Sequence, residues 1–208
     1  MIQLKKKVFL SLFMLVLING IANCQSEDFL DEFEKLIDNE NVQLIPDKII
    51  FTQKIFWGEK GLLRKVGISK LNIENREKEL ILREKMLKAH QIIGYVTFAA
   101  MIAQGIIGGK LYNGENDLYD THKNLGNFVT VSYFAGASLS LLAPPPIISK
   151  EIKGFNNIKA HKILANLHLP AMIATNIYSD KDRDIHKASA YTAFASYALA
   201  LITITFNF

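Results

Sequence analysis

Four runs of this sequence, 89–109, 124–149, 163–179 and 188–208, carry no Asp, Glu, Lys or Arg. An uncharged stretch of roughly 20 residues, at about 1.5 Å rise per residue, matches a hydrocarbon core about 30 Å thick. Lipid offers the backbone no hydrogen bonds, so such a stretch must satisfy its own amides as a helix. Short charged loops separate the runs, which argues against a soluble bundle of buried helices. The expected fold is all-α: an antiparallel four-helix transmembrane bundle with a small N-terminal extracytoplasmic segment.

Charge is concentrated elsewhere. Residues 25–88 hold 12 of the 24 Lys/Arg and 13 of the 20 Asp/Glu. The basic balance, with a pI near 9.0, does not point to nucleic acid. The cations mark helix ends rather than one patch, and interleaved stacking aromatics are missing. Lysines at a membrane surface account for the charge.

Residues 1–24 have the form of a targeting signal, with Lys5–Lys7 followed by the apolar "VFLSLFMLVLINGIA" and a small or polar end, "ANCQS". Cleavage before Gln25, lipidation of Cys24 and an uncleaved anchor all stay open. Cys24 is the only cysteine, which excludes an intramolecular disulfide and any multi-cysteine zinc or iron–sulfur site. Residues 25–88 form a small extracytoplasmic segment, marginal as an independent domain. In it "EDFLDEFEKLID" has helical periodicity, and "DKIIFTQKIFWGEKGLLRKVGI" predicts two short strands around "WGEKG", with Trp57 as a packing anchor or an interfacial residue. From Ile73 a charged amphipathic helix with a solvated face is expected to run unbroken into the first span and to close the segment.

The core, 89–206, then contains spans A (about 89–109), B (122–145), C (160–179) and D (186–206). The run "PPP" at 144–146 should end span B, because proline lacks the amide that continues the ladder. The Lys and Arg counts barely set orientation: Lys110, Lys123, Lys181, Arg183 and Lys187 lie on one side, Lys150, Lys153, Lys159 and Lys162 on the other. Arg83, Lys85 and Lys88 even oppose the orientation that the signal implies, in which loop B–C is outside.

Four of the five histidines open the four spans: "AHQIIG" at His90, "THKNLG" at His122, "AHKILA" at His161 and "IHKASA" at His186. Four positions on, each is followed by a small residue, Gly94, Gly126, Ala165 or Ala190, on the same helical face. Consecutive spans alternate in direction, so His90 and His161 belong to the outer membrane face and His122 and His186 to the inner one. Two imidazoles opposed across a bundle axis suit a six-coordinate haem iron, with the small residues making room for a flat ring. Zinc or di-iron would need more ligands converging at one place, and spans B, C and D contain no carboxylate. Type c attachment needs a Cys-x-x-Cys-His sequence that is absent, which leaves haem b. His168, seven residues after His161, has no counterpart on the other spans. By rise it lies roughly 10 Å deeper, either as a satisfied interior histidine or as a relay between the haems.

Four helices each opened by His and then small and apolar residues, as in "KAHQIIGYVTFAAMIAQGIIGGKL" and "DIHKASAYTAFASYALALITITF", resemble the cytochrome b561 core. The likeness covers about 89–206, and its specificity comes from the fourfold occurrence in order. It implies two b-type haems, one held by His90 and His161, the other by His122 and His186. Residues 25–88 are too few for the β-rich DOMON domain of fused relatives. The resemblance further implies a transmembrane oxidoreductase that passes electrons from quinol or another reductant on one face to an acceptor on the other. Lys123, Lys162 and Lys187 beside the ligands either pair with haem propionates or an anionic substrate, or merely mark the membrane boundary. Tyr112 and Tyr119 are candidate surface contacts. The expected partners are membrane lipid, a small-molecule or protein electron donor and acceptor, and a second copy in a homodimer; the expected site is the bacterial inner membrane. The rival from another class is a haem-free membrane assembly or scaffolding subunit, whose small residues (Gly105, Gly108, Gly109) serve helix packing.

Overall fold

A computed structural model describes residues 43–147 and 156–205. The expected signal, Cys24 and the "EDFLDEFEKLID" helix lie outside the described residues. Within them the chain is all-helical: α1 (Phe51–Trp57), α2 (Leu62–Lys65), α3 (Ile73–Tyr112), a 3-10 turn (Asn116–Leu118), α4 (Tyr119–Leu142), α5 (Asn157–Ile177) and α6 (Arg183–Thr205). No strand occurs among the described residues. The two strands expected around "WGEKG" are instead the short helices α1 and α2. A short apolar run reads equally as strand or helix, and here Gln53 and Trp57, four residues apart, are the buried face of α1.

Three helices are long and apolar enough to cross a membrane, α3, the turn with α4, and α6. α5 is 21 residues long but is not among them, because His161, Lys162, Asn166, His168 and Asn176 dilute its apolar character. Large apolar side chains point outward along all four long helices: Val96, Ile106, Phe128, Val131, Ile163, Leu167, Tyr191 and Leu199 are each at least half exposed. Such a surface suits lipid rather than water. The chain is thus a multi-pass membrane protein by length and composition.

The described residues divide into two compact units, 43–92 with 135–147, and 93–134 with 156–205. In the first unit, α1, α2 and the charged start of α3 meet the end of α4. Pro144, Pro145 and Pro146 stop α4, as the sequence predicts, and supply no amides to its last carbonyls. Side chains supply the donors instead. Leu141 O accepts from Thr52 Oγ1 (2.5 Å), Leu142 O from Trp57 Nε1 (2.8 Å) and Ala143 O from Gln53 Nε2 (3.1 Å). Pro144 O accepts from Arg83 (2.6 Å), and Pro145 O and Pro146 O from Arg76 (3.0 and 3.4 Å). Six consecutive carbonyls are thereby satisfied, and the two guanidiniums lie where the helix dipole is negative.

The start of α3 has the expected solvated charged face, but some of its charges lie on the opposite, buried side. Arg76 is fully buried and Glu79 nearly so. Glu79 accepts from Arg64, Arg76 and Ser69. Burial by itself would raise the Glu79 carboxyl, but these three donors outweigh it and hold the group below the ordinary carboxylate value. Glu74, Glu77, Lys78, Lys85 and Lys88 are solvent-exposed on the same helix.

In the second unit side-chain contacts give the helix directions. α3 is antiparallel to α4 through Thr97–Ser132 (3.0 Å) and Gln104–His122 O (2.9 Å). α6 is antiparallel to α5 through His161–Ala200 O (3.1 Å) and Thr175–Ser189 (3.1 Å), and antiparallel to α3 through Tyr197–Gly94 O (3.1 Å) and Arg183–Tyr112 O (2.9 Å). α4 meets α5 through Thr130–Asn176 (2.8 Å) and Tyr133–His168 (2.6 Å). Met101, Val129, Tyr133, Met172 and Ala193, drawn from all four helices, make the core. Gly114, at φ +105°, supplies the left-handed turn after α3 that returns the chain into α4.

Candidate cofactor site

The capping residues explain where the histidines fall. Asn156 caps α5 by accepting from Lys159 N (2.9 Å), and Asp182 accepts from Asp184 N and Ile185 N ahead of α6 (3.0 and 2.9 Å). Each helix therefore begins a few residues before its apolar run, with His122, His161 and His186 in or just past the first turn. His90 differs, because α3 starts at Ile73 and carries it mid-helix. All four rings are half-buried.

Three of them share one feature. His90 Nδ1 lies 2.8 Å from Gly136 O, His161 Nδ1 3.1 Å from Ala200 O, and His186 Nδ1 2.8 Å from Thr175 O. A carbonyl can only accept, so each neutral ring carries its proton on Nδ1 and its electron pair on Nε2. Metal-ligating histidines are oriented in the same way, by a donor bond from the nitrogen that does not coordinate. His90 belongs to the first unit, while His161, His122 and His186 belong to the second.

His122 and His186 come together. Their ring centroids are 6.2 Å apart and their planes lie at 79°. Two imidazoles bound through one nitrogen each at about 2 Å to a common ion have centroids about 6 Å apart. In ligand type and spacing these two residues could hold one haem iron, and His186 carries its electron pair on Nε2. Among the described residues no three His, Cys, Asp or Glu side chains form a metal-binding group; an iron already held by four porphyrin nitrogens needs only two.

The surroundings of His122 depart from the expected shallow patch. Gln104 Nε2 donates to His122 O at 2.9 Å and sits 3.3 Å from His122 Nε2. A Cβ at Gly126 would lie 3.0 Å from that amide, and one at Gly108 would lie 2.9 Å from the His122 ring. The room left by Gly126 is thus filled by Gln104. Two buried atoms here have no hydrogen-bond partner, His122 Nδ1 and Gln104 Oε1. Gly94 is similarly close to the Tyr197 hydroxyl, at 3.5 Å from a built Cβ, and Ala165 and Ala190 are half-buried. Gln104 was not singled out by the sequence pattern, although a lone amide late in an apolar run, four residues before Gly108, is a signal that could have found it.

Of the neighbouring lysines, Lys123 and Lys162 are exposed. Lys187 Nζ lies over the Tyr112 ring at 3.5 Å, with Arg183 also over it at 4.3 Å. Tyr119 is half exposed. His168 engages Tyr133: Nδ1 is 2.6 Å from the hydroxyl, and its ring is 5.1 Å from that of Tyr197. No protein-family model, curated protein or solved structure matches this chain.

Proposed function

We propose that this chain is a cytochrome b561-like transmembrane electron carrier, built as an antiparallel four-helix bundle of α3 to α6 and binding two b-type haems through paired histidines. The observation that carries the reading is the opposition of His122 and His186 at 6.2 Å, from the starts of two helices not adjacent in sequence. The second pair, His90 with His161, rests on the alternation of spans in the sequence and is supported by the Nδ1-to-carbonyl bond at each ring. A bound haem supplies reversible one-electron storage, which amino-acid side chains in this core lack.

What the residues contribute follows from their chemistry. The carbonyls of Thr175, Gly136 and Ala200 fix ring orientation and raise the basicity of Nε2. The apolar core of Met101, Val129, Met172 and Ala193 keeps water from the space between the two ends, which sets the polarity around the site. Donor and acceptor bind at opposite membrane faces, and the chain sits in the bacterial inner membrane with residues 25–88 outside.

The test is the optical spectrum of the purified protein, reduced minus oxidised, with haem quantified against protein. Two haems per chain are expected, falling to one in His122→Ala and in His186→Ala. A wild-type protein without reducible haem would sink the proposal and leave a haem-free assembly or scaffolding role.

A further inference from the structure

The amide of Gln104 stands where an electron-pair acceptor would stand. It points an N–H group at the electron pair of His122 Nε2, at 3.3 Å, while a bond to His122 O anchors it at 2.9 Å. An amide nitrogen can only donate, so the contact is favourable only if Nε2 carries the pair and Nδ1 the proton. That is the tautomer that carbonyl oxygens impose on the other three rings. Here no carbonyl serves Nδ1, which is buried without a partner.

We propose that Gln104 is a displaceable placeholder for the cofactor on His122. In the cofactor-free chain it occupies the electron pair that a metal would take, holds the ring in the ligating tautomer and fills the space beside Gly126. Two features make the arrangement releasable. Gln104 Oε1 has no partner, so the amide gives up little when it leaves. The two glycines, Gly126 against the amide and Gly108 against the ring, give both groups room that any Cβ would close. The inference rests on the haem reading and adds a positioning residue that lies outside the histidine pattern.

The experiment uses the full-length protein expressed without haem and titrated with ferric haem, in wild-type, Gln104→Leu and Gln104→Ala forms. Removing the competing amide should tighten binding at this end about fivefold, the net worth of one hydrogen bond expressed as affinity. Binding at the other end, isolated in a His186→Ala background, should not change. Nitrogen-15 spectra of the haem-free protein should show His122 as the Nδ1–H tautomer in wild type and a mixture in both variants. Unchanged or weaker haem affinity in both variants, or an unchanged tautomer, would overturn the placeholder role. Absence of haem binding by wild type itself would instead overturn the functional reading, and with it the placeholder.

Discussion

In the first unit Arg76 is fully buried yet donates to Leu44 O, Pro145 O, Pro146 O and Glu79. In the second, His122 Nδ1 and Gln104 Oε1 are buried without a partner on two residues that touch through their other nitrogens. The only other such atom among the described residues is Arg64 Nε, on a side chain otherwise bonded to Glu79, Ser69 and Trp57 O. Buried polarity that closes on itself is structural: the guanidiniums exist to complete a helix end that three prolines leave open. Buried polarity left incomplete costs stability; under the proposed reading, its presence at His122, whose ring meets that of His186, falls where the cofactor would bind.

Substitutions can break this comparison. The largest expected effect is at the proposed ligands, where His122→Ala or His186→Ala should remove one haem outright, read by absorbance, while the unfolding of the first unit followed by Trp57 fluorescence stays put. Trp57 is the only tryptophan, so its emission reports on that unit alone. The converse is Glu79→Gln, which leaves Arg64 and Arg76 without their counter-charge. It should cost about 3–5 kcal/mol, as removal of one partner from a buried ion pair does, without moving the haem bands. If Glu79→Gln shifted the bands, the distinction between the buried ion cluster and the histidine sites would be wrong.

Acid should act on the same cluster. The folded Glu79 carboxyl lies below the ordinary value of 4.5. Its stabilising contribution is therefore fully present above that value and lost as pH falls through the lower folded one. A Trp57 emission transition below pH 4.5 that is absent in Glu79→Gln would sharpen the point. Smaller effects are expected where a single neutral bond is lost. Trp57→Phe, which frees Leu142 O, and Tyr133→Phe, which frees His168, should each cost about 1 kcal/mol in thermal unfolding.

The sequence makes some of this legible and hides the rest. Charge-free length marks α4 and α6 and the later half of α3, and Pro144 marks the end of α4. The four histidine openings are equally plain, because each repeats a short local pattern. The segment "IIFTQKIFW" reads as strand yet folds as helix α1, since short apolar runs are compatible with both periods. Only the carbonyls of Leu141, Leu142 and Ala143 choose the helix, by needing Thr52, Gln53 and Trp57 on one face. Arg83 donates to Pro144 O, a partner that its position in the sequence does not reveal.

Local composition alone therefore determines that this chain is helical and suited to a membrane, because hydrophobic length and backbone satisfaction depend on neighbours in sequence. It also nominates the histidines. Which of them meet, which nitrogen carries the proton and what stands at the electron pair are decided by residues far away in the chain: Thr175 for His186, Ala200 for His161, Gly136 for His90 and Gln104 for His122. A hydrogen bond selects a tautomer only when donor and acceptor come within about 3 Å, and that proximity exists only once the helices have packed.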